Sequence, residues 1–600
     1  MSELQNRRYK EVEPKETVKK VKQILNQIGI EVEENWSRES SVGTYSLRVC
    51  VKGTDIGQNG KGMTKDFARA SGYAEFLERL QNGMFRFRME KPTKELPFSN
   101  SPDEQVLPIN ELLEDNSFFQ QILKYNQKQN KSEKEKIEYI QKILNQKSTL
   151  VEKEDYQSLP YYSVKHKKLV YIPYRLFSYL YNTNGMCAGN SAEEAIIEGI
   201  SEILERYVGF QIFEKKVSLP EIPMDYISKF PKVKEMAEKL QKNEQYYFKL
   251  VDCSFGGKYP VAGLYIIEKN TGRFGFKMGA HPDYGIAMER CFTEAAQGRD
   301  IYEYAKTCIF NFNENKEVGK NHTKFIFSDL AAIPYQIISE HADYEFSEMP
   351  DVSNMDNKTI LKTLVNSILQ EGKDILIRNV SILGFPTFSI AIPGMSELSI
   401  DPTATYFDLF VTMQSLLKDM TKINRKNIKE VIHIMEAIVN QIGNERLSIY
   451  INVKDESILP CESIGMGGKY FLAICYIMDE QYGKAAEILE NLNQTAELIM
   501  VNPIEKIMVK AVYYYAQAME QVKEHEKAMY YIRLLFSEEI ADAIDKSFQN
   551  KDMIFPNHYG LTPDDYVDND ESYYLPFMKK IREIQKENVI DQMKNEEIFS

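Results

Sequence analysis

Ser191-Ala-Glu-Glu194-Ala195-Ile-Ile-Glu198-Gly-Ile-Ser-Glu202-Ile-Leu-Glu205-Arg206 is the stretch on which the reading of this chain turns. Ser191 is a helix N-cap residue, and Glu194 three positions later completes a capping-box pattern. Ile196, Ile197, Ile200, Ile203 and Leu204 then recur at helical spacing. Glu202 and Glu205, three residues apart, share one helix face, and Glu198 stands one turn before them.

The same template occurs twice more. Thr64 opens a run through Ala68 and Ser71 to Glu75, Glu78 and Arg79; Asp283 opens one through Ala287 and Arg290 to Glu294 and Gln297. In each copy an alanine lies seven residues before the first acidic position: Ala68, Ala195 and Ala287. Gly- and Asn-rich stretches, Asn59-Gly-Lys-Gly62 and Asn184 to Asn190, lead into the first two and read as loops. One Glu-x-x-Glu is ordinarily a solvated helix face. Two full Glu-x-x-Glu-Arg copies and a third variant, beside apolar residues that predict burial, point further. Isolated buried carboxylates are costly, and magnesium, which favours carboxylate and phosphate oxygens, would neutralise them. Arg206 and Arg290 suit the phosphates. No GxxxxGK[ST] loop is present, so a nucleotide would be held by side chains and metal.

Outward from these helices, the chain has 600 residues and 43% hydrophobic content, enough for several cores. With 74 basic against 88 acidic side chains, the net charge of −14 argues against direct nucleic-acid binding. The N-terminus lacks the apolar stretch of a secretory signal, and no span of membrane length is seen. Seven scattered cysteines without a CxxC arrangement fit a reducing cytoplasm and argue against a cysteine-only metal site.

Residues 18–28 predict a helix with Thr17 as its cap, and 126–155 a polar insertion or helical excursion. Strand-like runs at 45–51, 169–174, 260–267 and 388–392 have irregular connections, which predicts an α+β fold. From about residue 405 the pattern is helical. Phe471-Leu-Ala473 through Ala485 aligns with Tyr514-Tyr-Ala516 through Ala528 at an offset of 43 residues, 514 against 471. Small residues at such spacing suit tetratricopeptide-like hairpins of a period longer than about 34 residues, with a generic helical bundle as the alternative.

Taken together, Asn59-Gly-Lys-Gly, Ser71…Glu75…Glu78-Arg79, Gly189-Asn190…Glu194…Glu202…Glu205-Arg206 and Arg290…Glu294…Gln297 resemble the YcaO family over roughly residues 10–400. The resemblance implies a YcaO-type ATP-binding domain at 1–404, an all-α tetratricopeptide-like domain at 405–600, and ATP used to phosphorylate a backbone amide oxygen. It implies magnesium on Glu75, Glu78, Glu202, Glu205 and Glu294. Ser71, Arg206 and Arg290 would meet the phosphates and Asn190 and Glu194 the nucleoside, with Lys10 and Thr17 nearby. No catalytic residue is assigned. The helical C-terminal part and the absence of a proline-rich PxPxP end point to a non-azoline, stand-alone member. Such a member acts as a homodimer and as accessory to a radical methylthiotransferase that β-methylthiolates a ribosomal small-subunit protein. A thioamide- or azoline-forming peptide enzyme, or a non-catalytic scaffold, are the other readings.

Overall fold

The computed structural model describes residues 10–52, 57–85, 98, 100–144, 157–305, 308–312, 318–329, 331–398, 423–442, 467–499, 503–549 and 575–599. Cys461, the boundary expected near 404/405 and residues 145–155 of the polar insertion lie outside them. Of that insertion, Glu133–Leu144 is a helix that buries Ile140.

Three antiparallel sheets each feed one of the three capped helices. Helix α1 (Pro14–Gln27) precedes the meander β1 (Val32–Trp36), β2 (Tyr45–Val51) and β3 (Gly57–Gly62), which leads into α2 (Lys65–Gln81). A six-stranded sheet joins β4 (Gln105–Val106), β5 (Gln157–Ser163), β6 (Lys168–Pro173) and β7 (Met186–Ala188) to two strands from late in the chain, and β7 leads into α3 (Ala192–Lys215). The third sheet, β8 (Tyr246–Asp252), β9 (Val261–Glu268) and β10 (Arg273–Ala280), leads into α4 (Tyr284–Ala295). Short strands β11 (Ile309–Asn311) and β12 (Ala332–Pro334) pair in parallel around α5 (Val318–Ser328). After α6 (Asn357–Gln370), β13 (Leu376–Asn379) and β14 (Thr387–Ala391) complete the six-stranded sheet in the order β4-β5-β13-β14-β7. This is the expected α+β fold.

Each feeding strand crosses its helix closely, and the residues at the crossing show why. A Cβ on Gly60 would stand 2.4 Å from the Gly72 nitrogen; one on Gly199 would meet Cys187 Sγ at 2.8 Å; one on Gly279 would meet the Cys291 nitrogen at 3.0 Å. The crossing is thus Gly on Gly, Cys on Gly and Gly on Cys, with at least one glycine each time. Asn59–Gly62 is therefore strand, not the loop its composition suggested: its glycines serve helix approach rather than turning. Helix α1 also begins earlier than expected, with Pro14 in its first turn and Glu13 at the cap position. Thr17 is then buried inside the helix, free to work elsewhere.

The C-terminal region is helical: α7 (Ile428–Ile442), α8 (Gly467–Met478), α9 (Tyr482–Ile499), α10 (Pro503–Val522), α11 (His525–Leu535) and α12 (Glu538–Phe548) share one apolar core. The four alanines that mark the repeat, Ala473, Ala485, Ala516 and Ala528, are all fully buried at the α8/α9 and α10/α11 crossings. Residues 575–599, counted with this unit in the sequence, pack on the α+β unit instead. Ile581 of α13 (Leu575–Glu587) joins the core of Leu25, Leu47 and Phe76, and Ile598 and Phe599 lie against the core under α3. Gln592 clamps Asn379 through both backbone groups, accepting from its nitrogen at 2.8 Å and donating to its oxygen at 2.9 Å. That placement depends on long-range packing, which local periodicity does not carry. Among the described residues no helix is long and apolar enough to cross a membrane. The six cysteines described, Cys50, Cys187, Cys253, Cys291, Cys308 and Cys475, are free and buried.

Candidate functional site

The three helices start as their sequences require. Thr64 accepts from the Phe67 nitrogen at 3.3 Å, Ser191 from Glu194 at 3.1 Å and Asp283 from Ile286 at 3.3 Å. With their starts fixed in register, α2, α3 and α4 turn their polar faces into one cavity of about 970 Å³. Its lining includes every residue expected at the site: Ser71, Glu75, Glu78, Asn190, Glu194, Glu202, Glu205, Arg206, Arg290 and Glu294.

At one end, Glu194 collects donors. Lys10 Nζ stands 3.1 Å and Asn190 Nδ2 3.2 Å from its Oε1, and the Glu11 nitrogen donates to Oε2 at 3.0 Å. The Glu194 carboxylate is thus spent on the N-terminal segment rather than on a capping box. Thr17 donates to Asn190 Oδ1 at 3.0 Å, which ties α1 to the same corner.

The centre is acidic, and most of its carboxylates are ion-paired. Arg79 lies 2.9 Å from Glu78 and 3.5 Å from Glu75, and Arg206 lies 2.8 Å from Glu202. Arg290 pairs with Glu198 and donates to the Ala280 oxygen at 2.9 Å. Lys61 of β3 reaches across to Glu294 at 2.7 Å and Gln297 at 3.4 Å, while its own nitrogen donates to Ser71 Oγ at 3.4 Å. Glu205 has no ion-pair partner among the described residues.

The protonation tendencies follow. Burial raises Glu78 well above the carboxylate range despite Arg79 beside it. Burial, followed by the charge of Glu294, pushes Glu205 up to about 7. Burial also acts on Glu198, but Arg290 and then Lys10 outweigh it and hold the group at about 2. Lys61 and Lys277 likewise overcome burial to keep Glu294 low.

These residues fit magnesium and a nucleotide. The donors are carboxylate oxygens, as hard cations require, and the site carries more acid than its own cations satisfy. Among the described residues no three potential ligands stand close enough to form a ready metal cluster. Like-charged carboxylates do not close up by themselves.

Several lining residues had no role assigned from sequence. Arg79, Glu198, Lys61 and Lys277 form the counter-charges. Alternation along β3 could have found Lys61, because Gly60 and Gly62 face α2. His322 of α5 also lines the cavity; it is buried among Phe210, Phe213 and Phe325, and burial drops its pKa to about 3. Nothing in its sequence context marks it.

Residues 59–396 match the family described as YcaO cyclodehydratase, ATP- and Mg2+-binding. A protein of Escherichia coli (strain K12) named ribosomal protein S12 methylthiotransferase accessory factor YcaO is 29% identical over 394 residues, 64% of this chain and 65% of its own length. The match therefore spans a little under two thirds of that relative. Among solved structures, a heterocyclase in complex with substrate and cofactor is 19% identical with a TM-score of 0.46, over 64% of this chain and 53% of that one. YcaO from Methanopyrus kandleri bound with AMPPCP and Mg2+ is 15% identical with a TM-score of 0.38, over 64% of this chain and 92% of that one.

Proposed function

The chain belongs to the YcaO family, described as binding ATP and Mg2+, and from that premise we propose that it uses Mg–ATP in the cavity between α2, α3 and α4 to activate a backbone amide of a peptide or protein. Glu75, Glu78, Glu202, Glu205 and Glu294 would hold the magnesium. Ser71, Arg206 and Arg290 would hold the phosphates, and Asn190 and Glu194, with Lys10 and Thr17, the nucleoside. Bound ATP supplies the phosphoryl group for the amide oxygen; the chain's own work is to position it and exclude water. The planar guanidinium groups of Arg206 and Arg290 present fixed donor pairs to phosphate oxygens. The observation that supports this most is the convergence of three helices' carboxylates on one cavity.

The substrate reading follows the E. coli relative: an accessory role, with a radical methylthiotransferase, in β-methylthiolation of a ribosomal small-subunit protein. Residues 1–404, rejoined by 575–599, would form the ATP-binding domain. The helical unit would be a tetratricopeptide-like partner surface that also holds a homodimer. Support for the last point lies on α11, where Tyr530, Leu534 and Leu535 are 65%, 71% and 56% exposed. A thioamide- or azoline-forming role is the second enzymatic reading, which a precursor peptide as substrate would favour.

The test is ATP turnover by the full chain, alone and with a ribosomal small-subunit protein and the methylthiotransferase. Turnover stimulated by the substrate protein, and absent in Glu202→Ala, is expected. A chain that neither binds nor turns over Mg–ATP would end this reading.

A further inference from the structure

Glu294, assigned above to magnesium, already has a cation on it. Lys61 Nζ lies 2.7 Å from Glu294 Oε1 and 3.4 Å from Gln297 Oε1. The geometry of β3 puts it there. A Cβ on Gly60 would stand 2.3 Å from the Ala68 oxygen and one on Gly62 2.6 Å from the Ala68 nitrogen, so both face α2. Side-chain alternation therefore turns Lys61 between them away from α2 and toward α4.

Lys61 is held differently from the three guanidinium groups of the cavity. Arg79 and Arg206 pair with carboxylates of their own helices, and Arg290 is also anchored on the Ala280 oxygen. Lys61 reaches a foreign helix on a flexible four-carbon stem and meets it through its ammonium. A divalent cation and an ammonium repel each other strongly at one carboxylate. Once displaced, the ammonium is a point charge beside the groups the metal brings, and phosphate oxygens are its natural acceptors.

We propose that Lys61 is a displaceable counterion: it holds Glu294 until a divalent cation takes that carboxylate, then transfers to the phosphates of the nucleotide. This rests on the Mg–ATP reading of the cavity. Lys61 is then both a competitor of bare metal and a contributor to metal–nucleotide affinity, two effects of opposite sign.

The full chain carrying Lys61→Met, Lys61→Gln or Lys61→Arg is titrated with Mn2+ alone, followed by electron paramagnetic resonance, and with Mg–AMPPNP by calorimetry. Glu75→Ala serves as the site control. Thermal melting accompanies each variant, and the Gln replacement keeps a polar group in a cavity lined by polar side chains. Removing the charge should tighten Mn2+ about fivefold, the upper end for an ion pair in contact with solvent, and weaken Mg–AMPPNP about tenfold, the low end for one charged hydrogen bond. Lys61→Arg should bind Mn2+ as the parent does. Unchanged or weaker Mn2+ binding in both neutral variants, with nucleotide lost only in Glu75→Ala, would overturn the inference and leave the site standing. Tighter Mn2+ with unchanged nucleotide affinity would overturn the transfer to phosphate. A parent chain that binds no Mg–AMPPNP would overturn the inference together with the reading it rests on.

Discussion

Around the cavity, three strand–helix units place Glu75/Glu78, Glu202/Glu205 and Glu294 at one register. In the C-terminal unit, two hairpins repeat Ala473/Ala485 and Ala516/Ala528. The first repeat places charge where charge is expensive; the second places the smallest side chains where helices touch. A repeat of small apolar residues is accounted for by packing alone. Partly buried carboxylates facing one another lower the stability of the chain that carries them, so packing cannot be why they are there, and a ligand can. The crossings at Gly60, Gly199 and Gly279 show both kinds of repeat in one unit, since the same helices that repeat acid on one face repeat close contact on the other.

The contrast can be broken experimentally. The largest effect is expected from Glu205→Gln. It removes a carboxylate that has no ion-pair partner among the described residues, so the chain should melt no lower than the parent. Mg–ATP affinity should nevertheless fall by about 100-fold, at or beyond the upper end for metal-site residues. Calorimetric titration beside a melting curve reads both. A loss of stability together with retained binding would make Glu205 a structural residue and erase the contrast.

Ala516→Leu is the opposite case. Overpacking the fully buried α10/α11 crossing should cost about 1–3 kcal/mol of stability. Mg–ATP affinity should stay at the parental value. Chemical denaturation and the same titration decide it, and a variant that loses nucleotide binding while still folded would couple the two units.

The smallest effect on the fold belongs to Leu534→Asp on the exposed face of α11. Stability should move by no more than about 0.5 kcal/mol, while light scattering on the full chain should report the monomer mass in place of the dimer mass. A truncation near residue 404 is a poorer probe, because it would also remove the 575–599 segment from the core of the α+β unit. A parent chain that is already monomeric would end the proposed dimer.

What could be read in the sequence was what neighbouring residues decide. The caps at Thr64, Ser191 and Asp283 are local hydrogen bonds, and they stand as read. The acidic register needs only helical periodicity, and the nine candidate positions on α2, α3 and α4 line one cavity with Asn190, which stands just before α3. The glycines of Asn59–Gly62 were misleading, because a glycine needed for close approach looks the same as one needed for a turn. Thr17 read as a cap, although its partner Asn190 is far away in the chain. Lys61 with Glu294, and Gln592 with Asn379, join residues hundreds of positions apart, and nothing short-range announces such pairs.

The Gln592–Asn379 clamp also bears on how the protein is made. Ile581 completes a core begun by residues near the N-terminus, and Ile598 and Phe599 pack on one begun at Tyr162. On a ribosome adding about 5–20 residues per second, the helical unit emerges before those side chains exist. The cores beside the α2–α3–α4 cavity therefore stay incomplete for about 15–60 s after α4 has been made. During that interval the helical unit, whose core is drawn from residues 423–548 alone, has already been made.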